Sequence, residues 1–109
     1  MTFDLFKKLY EAALKEGVEL DDYIAGIGYQ DWMDGYNPEE VRDILIKIYT
    51  LATNPLKSTR EGTQKGFSDQ YNIPLRTLQS WDMREYEIKT YTKMLIDFAQ
   101  FSNHFGKVK

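Results

Sequence analysis

The amino-acid sequence predicts an all-α fold, a compact helical domain of five to seven helices, on three observations. Apolar residues recur three and four positions apart along most of the chain. Helix start and stop signals bracket those periodic runs. No stretch alternates apolar and polar residues between hairpin turns, so no strand is expected.

The first helix is predicted from Thr2 to about Glu16. Phe3, Phe6, Tyr10 and Ala13 share a face, with Leu5, Leu9 and Ala12 beside them, and Gly17 supplies the stop. Val18, Leu20, Tyr23, Ile24 and Ile27 then predict a short helix starting near Asp21, weakened by Gly26 and Gly28. Between Gly28 and Tyr36 the residues Tyr29, Trp32, Met33 and Tyr36 form a dense aromatic cluster, read as one or two short helical turns. Two readings of it stay open. It is either a small aromatic core that anchors the first helix or an exposed protein-binding patch, since Trp, Tyr and Met favour interfaces.

The clearest start signal is Asn37-Pro38-Glu39-Glu40, where Asn caps, Pro suits the first helical position and two acids meet the positive end of the helix dipole. Val41, Ile44, Leu45, Ile48 and Leu51 repeat with a helical period until Asn54-Pro55 ends the run. Leu56 to Gly62 is polar and basic, a linker or a short helix. Two short helices follow. The last long helix is expected over Glu85 to Phe101, with Ile88, Tyr91, Leu95, Phe98 and Ala99 as its buried stripe and Met94 and Phe101 flanking. The tail Ser102 to Lys109 is expected to fray. With 109 residues, no internal repeat and no long flexible linker, the chain reads as one domain. Within it, 1–54 is an acidic, aromatic-rich subdomain and 55–109 a second helical one.

Composition excludes several classes. There is no cysteine, hence no disulfide and no thiolate metal site. His104 is the single histidine, so neither a zinc site nor a Ser-His-Asp triad is expected. Asp21, Asp22, Asp31, Asp34, Glu39 and Glu40 read as caps and solvated faces rather than an acid–base pair. No Gly-rich phosphate loop is present. The chain reads as a non-enzyme without cofactor or metal. No apolar run approaches the roughly 20 residues of a membrane span. The start Met-Thr-Phe-Asp does not read as a signal peptide, so the cytoplasm of a bacterial host is the expected location. Net charge is −3, split unevenly. Residues 1–50 hold eleven Asp/Glu against five Lys/Arg, and residues 51–109 hold six against nine, balances of −6 and +3. A basic half can meet phosphates, although solvated helix faces account for the same split.

The segment Gln64 to Met83, QKGFSDQYNIPLRTLQSWDM, satisfies the demands of a helix-turn-helix in register. Phe67 is buried, and Ser68 is small where the second helix crosses. Tyr71 closes the first helix, and Asn72 takes the left-handed turn position. Ile73 plugs the corner, Pro74 opens the second helix, and Leu78 and Trp81 face inward. The run Phe67 to Asp82 resembles the "F-A-x-x-Y-G-I-P-x-x-T-L-x-x-W-E" version of the lambda-repressor-like (XRE-type) helix-turn-helix family. The resemblance implies that Pro74 to Met83 is a recognition helix. Leu75, Arg76, Gln79 and Ser80 would point outward with Thr77 near the edge, Arg pairing with guanine and Gln with adenine. It implies phosphate contacts from Gln64 and Lys65, with Arg84, Lys57 and Arg60 adding others. The chain departs from the family after Trp81. Asp82-Met83-Arg84-Glu85-Tyr86-Glu87 stands where a Gly and a basic, Pro-containing loop are common, which would set three acids near the DNA backbone. Gly66 is also a poor helix former.

The expected function is a small DNA-binding transcriptional regulator of a phage or mobile element. Its partner would be double-stranded DNA, and it would act as a homodimer because one recognition helix reads too few base pairs. The alternative is a phage-encoded anti-CRISPR or anti-defence inhibitor that blocks nucleic-acid binding by a host CRISPR nuclease. Its surface would comprise Asp21, Asp22, Tyr29, Asp31, Trp32, Asp34 and Tyr36. A plain protein-interaction module is a third reading.

Overall fold

A computed structural model of the chain describes residues 1–106. Among the described residues all regular structure is helical, with seven α-helices, one 3-10 helix and no strand. No described helix is long and apolar enough to cross a membrane. The chain divides into two compact units, Met1–Thr53 and Asn54–Lys109.

In the first unit, α1 (Phe3–Ala13) starts where the Thr2 hydroxyl oxygen accepts the Leu5 amide at 3.2 Å. Phe6, Leu9, Tyr10 and Ala13 are its buried residues. The helix ends three residues before the expected Glu16. The Leu14 amide is shared between the Tyr10 and Glu11 carbonyls, a tightened last turn, and Gly17 at φ 76° lies in the loop beyond. α2 (Leu20–Ile27) buries Tyr23, whose hydroxyl donates to the Leu9 carbonyl at 2.9 Å. Burial pushes that phenol well above its ordinary pKa. Gly28 at φ 62° stops the helix.

A 3-10 helix, Asp31–Gly35, occupies the aromatic stretch and contributes no buried residue. Tyr29 is 68% and Tyr36 42% exposed, so the cluster is not a small closed core. Trp32 and Met33, between the two tyrosines, are half-buried.

α3 (Pro38–Thr53) begins with a reciprocal capping box. The Glu40 amide donates to Asn37 Oδ1 at 2.8 Å, and the Asn37 amide donates to Glu40 Oε1 at 3.1 Å. Ile44, Leu45, Ile48, Leu51 and Ala52 are buried, and α3 packs on both α1 and α2. The Tyr49 hydroxyl ties it to the Val18 carbonyl at 2.8 Å.

The second unit opens with the single turn α4 (Leu56–Thr59), followed by α5 (Gln64–Tyr71), α6 (Leu75–Asp82) and α7 (Thr90–Gly106). Thr63 caps α5, its hydroxyl oxygen accepting the Gly66 amide at 3.0 Å. A Cβ at Gly66 would stand 3.2 Å from that same oxygen, so the glycine lets the cap close tightly. Asn72 adopts the left-handed conformation, φ 54° and ψ 37°, and turns the chain from α5 into α6. Ser68 is buried at the turn: its hydroxyl donates to the Ile73 carbonyl, and its own carbonyl accepts the Ile73 amide at 3.1 Å. Leu56, Phe67 and Leu78 form the buried core of this unit, with Tyr71, Ile73, Trp81, Ile88 and Ile96 packed around them.

α7 differs from its expectation in start, end and phase. It begins at Thr90 rather than Glu85, because residues 83–89 form a loop. It continues through residues 102–106, which are helical rather than frayed, while residues 107–109 lie outside the described residues. Its buried positions are Met94, Asp97, Gln100 and Phe101, whereas Tyr91 and Leu95 are 59% and 42% exposed. Asp97 is fully buried, and the Lys93 ammonium donates to it at 2.6 Å. A reading by apolar residues alone passes over a carboxylate at the centre of the face.

At Asn72, glycine should hold or raise stability in urea unfolding, whereas alanine should cost about 1–2 kcal/mol, the left-handed penalty for an ordinary side chain. Equal stability of the two variants would mean that the turn is not held in this conformation.

Candidate nucleic-acid interface

The inner face of the α5–α6 corner is apolar, and its outer face carries the residues expected to meet DNA. Arg76 and Gln79 are both exposed, three positions apart on α6 and therefore on one side of the helix. Leu75, Thr77 and Ser80 are half-buried along the edges. Leu78 points into the core between them, which fixes the rotation of α6 and so the direction of Arg76 and Gln79. No ion pair among the described residues engages Arg76. Lys65 is exposed on α5 and meets Asp69 at 3.1 Å, a surface pair worth little in water and readily given up to a phosphate.

Two residues expected to touch phosphates are committed elsewhere. The Arg60 guanidinium donates both terminal amino groups to the Asp82 carboxylate, one of them at 2.6 Å, and the two side chains are only 9% and 6% exposed. The Gln64 side-chain amide donates to the same carboxylate at 2.6 Å. Arg60 is therefore a structural clamp from the end of α4 to the end of α6, and Gln64 joins α5 to it. The Arg60 and Gln64 hydrogen bonds, with the nearby charges of Arg60 and Lys57, hold the Asp82 carboxyl below its ordinary pKa, against the opposing effect of burial. Of the three acids that follow Trp81, Asp82 is thus neutralised inside the unit, leaving Glu85 and Glu87 exposed.

The end of α6 is a Schellman turn. The Arg84 amide donates to the Trp81 carbonyl at 3.1 Å, and the Glu85 amide to the Ser80 carbonyl at 3.0 Å. Arg84 occupies the left-handed position of this turn at φ 59°, where glycine is the usual residue. Its side chain is exposed beside a groove of about 460 Å³ lined by Lys57, Trp81, Tyr86 and Ile88 among others. Sequence reading did not anticipate this groove. A faint sign in the sequence is Tyr86, a large ring in a polar loop, which is 70% exposed.

The first unit carries the other expected surface. Asp21 and Asp22 are exposed in the first turn of α2, and Asp31 and Asp34 are exposed in the 3-10 helix. The Tyr29 hydroxyl donates to Asp34 Oδ1 at 2.6 Å, which holds the phenol above its ordinary pKa. Half-buried Trp32 donates to Gln30 Oε1 at 2.7 Å and meets Tyr36 edge-on at 6.2 Å between ring centres. His104 is exposed in the last turn of α7, edge-on to Phe105. Among the described residues no group of three or more His, Cys, Asp or Glu side chains is placed to hold a metal ion.

No family model, curated protein or solved structure matches the chain.

Asp82→Asn should lower stability by on the order of 3 kcal/mol near neutral pH, because Arg60 is left in a largely enclosed site without its counter-charge. The sign of the pH effect follows from the lowered pKa. The stabilisation is complete above the ordinary carboxyl value of 3.8 and is lost as pH falls through the lower folded-state value, so the gap between parent and variant should close there. Urea midpoints measured down the acid limb check this. Separately, Arg84→Gly should raise stability by about 1 kcal/mol by removing the left-handed penalty; a lower melting temperature would contradict the Schellman assignment.

Proposed function

We propose that the Asn54–Lys109 unit binds double-stranded DNA with α6 in the major groove, and that the protein acts as a dimeric transcriptional regulator of a phage or mobile element. The observation that carries this reading is the outward pair Arg76 and Gln79, held three positions apart on a short helix whose other face is locked into a core. Those are the side chains suited to guanine and adenine edges in the major groove. The resemblance of Phe67 to Asp82 to the lambda-repressor-like family supports the same assignment. Enclosure of Asp82 by Arg60 removes one of the negative charges that would oppose a phosphate backbone. Lys65 and Arg84 supply sequence-independent phosphate contacts.

A second reading has its own observation. The exposed Tyr29 and Tyr36 rings lie in the same unit as exposed Asp21, Asp22, Asp31 and Asp34. Such a surface suits a basic protein channel that normally receives nucleic acid, as in a host CRISPR nuclease. Charge reversal of those four aspartates should abolish inhibition of such a nuclease if this reading holds; unchanged inhibition contradicts it.

For the leading reading, selection from a random duplex pool followed by gel-shift at several salt concentrations is the test. Arg76→Ala and Gln79→Ala should each cost about 1–3 kcal/mol of binding and relax preference at their own base positions. Lys65→Ala should weaken all duplexes alike and reduce the salt slope by about one. Failure of the parent protein to bind any duplex at low salt would overturn the proposal.

A further inference from the structure

The groove at the end of α6 has the dimensions and the chemistry of a small-molecule site. Its volume, about 460 Å³, falls in the range of ligand pockets, roughly 300–1,000 Å³. Trp81 and Tyr86 contribute aromatic rings to its lining, and Leu56 and Ile88 contribute aliphatic side chains. All of these belong to the Asn54–Lys109 unit.

Its charge is uneven in a specific way. Of the acidic and basic groups that line it, Asp82 is satisfied by Arg60 and Gln64, and Lys93 is satisfied by the buried Asp97. Lys57 and Arg84 take part in no ion pair among the described residues; Lys57 feels the charge of Asp82, which Arg60 already neutralises, and Glu87 is the other acid that lines the groove. The groove therefore has an excess of positive charge beside an aromatic, apolar wall.

The backbone of Arg84 adds to this. The Schellman turn fixes its backbone at φ 59°, a conformation that costs an arginine but not a glycine. Strained residues of this kind collect at ligand clamps and switch regions. Here the strained residue is the one that lines the groove with a long cation.

We propose that this groove binds a small planar aromatic anion, its ring between Trp81 and Tyr86 and its carboxylate or equivalent group paired with Lys57 and Arg84. A guanidinium offers a carboxylate two parallel hydrogen bonds, and the indole and phenol rings offer faces on which a flat ligand stacks. The site stands on the groove alone and holds whether or not α6 reads DNA.

Isothermal titration calorimetry of the full chain with 2-naphthoate, with the neutral 2-naphthylmethanol and with inorganic phosphate tests it. Saturable one-to-one binding of 2-naphthoate is expected, with the neutral analogue and phosphate each at least about tenfold weaker, the scale of one charged hydrogen bond. Lys57→Gln should weaken naphthoate by about the same factor. Arg84→Gly should do so as well while folding at least as stably as the parent, which separates loss of the cation from loss of the fold. Equal binding of the neutral analogue would overturn the proposal, since the groove would then be merely apolar. Phosphate binding as tightly as naphthoate would overturn it too, marking a simple phosphate contact. So would affinity unchanged by both substitutions, or no saturable binding at all.

Discussion

The corner at Asn72 is the constraint on which the second unit depends. Two eight-residue helices are too short to persist alone in water, so each must be held by the other. The left-handed turn brings them together, and Ser68 fastens it from both sides, its hydroxyl reaching the Ile73 carbonyl and its carbonyl receiving the Ile73 amide. With that geometry set, Phe67 and Leu78 share one core with Leu56. Tyr71 packs its ring 4.6 Å from that of Phe67 and receives the Asn103 side-chain amide from α7 at 2.8 Å. What faces outward on α6 is decided by what faces inward. Arg76 and Gln79 are exposed because Leu78, on the opposite side of the helix, is buried.

Electrostatics closes the far end of the same unit. Arg60, Gln64 and Asp82 come from three different helical segments or their ends and meet in one largely enclosed carboxylate cluster. Such a pair gives geometry more surely than it gives net stability, because desolvation offsets much of the attraction. Its bearing on the proposed DNA-binding face follows from the charge it hides. An acid that would repel a phosphate backbone becomes an internal strut, and Lys57 and Arg84 remain as cations beside the groove. The loop after α6 is then a surface of mixed character rather than the acidic stretch that its letters suggest.

Local signals were readable where a few adjacent residues do the work. Asn37-Pro38-Glu39-Glu40 spells out a helix start, whose reciprocal Asn37–Glu40 bonds the structure adds, and Ile44, Leu45, Ile48 and Leu51 repeat along one buried face. The register of the α5–α6 corner was readable for the same reason: Phe67, Ser68, Asn72 and Leu78 each have one demanding role within a short span. Contacts between distant residues were not readable. Arg60 and Asp82 stand 22 positions apart, and nothing in composition distinguishes that pair from two solvated charges. The phase of α7 was missed because Asp97, a carboxylate, lies at the centre of its buried face with Lys93 one turn before it. The aromatic stretch from Tyr29 to Tyr36 left two readings open, since ring content alone does not say which side faces solvent. Of the candidate interface, the outward pair on α6 was visible in advance. The groove was not, because its walls come from α4, α6 and the following loop together.

Amide chemical-shift mapping of the full chain with a selected duplex puts the central claim to the most direct test. Perturbations are expected to follow the outer positions of α6, centred on Arg76 and Gln79, and to extend to Lys65 at the start of α5. Perturbations confined to residues 21–36, or spread without preference over both units, would contradict it.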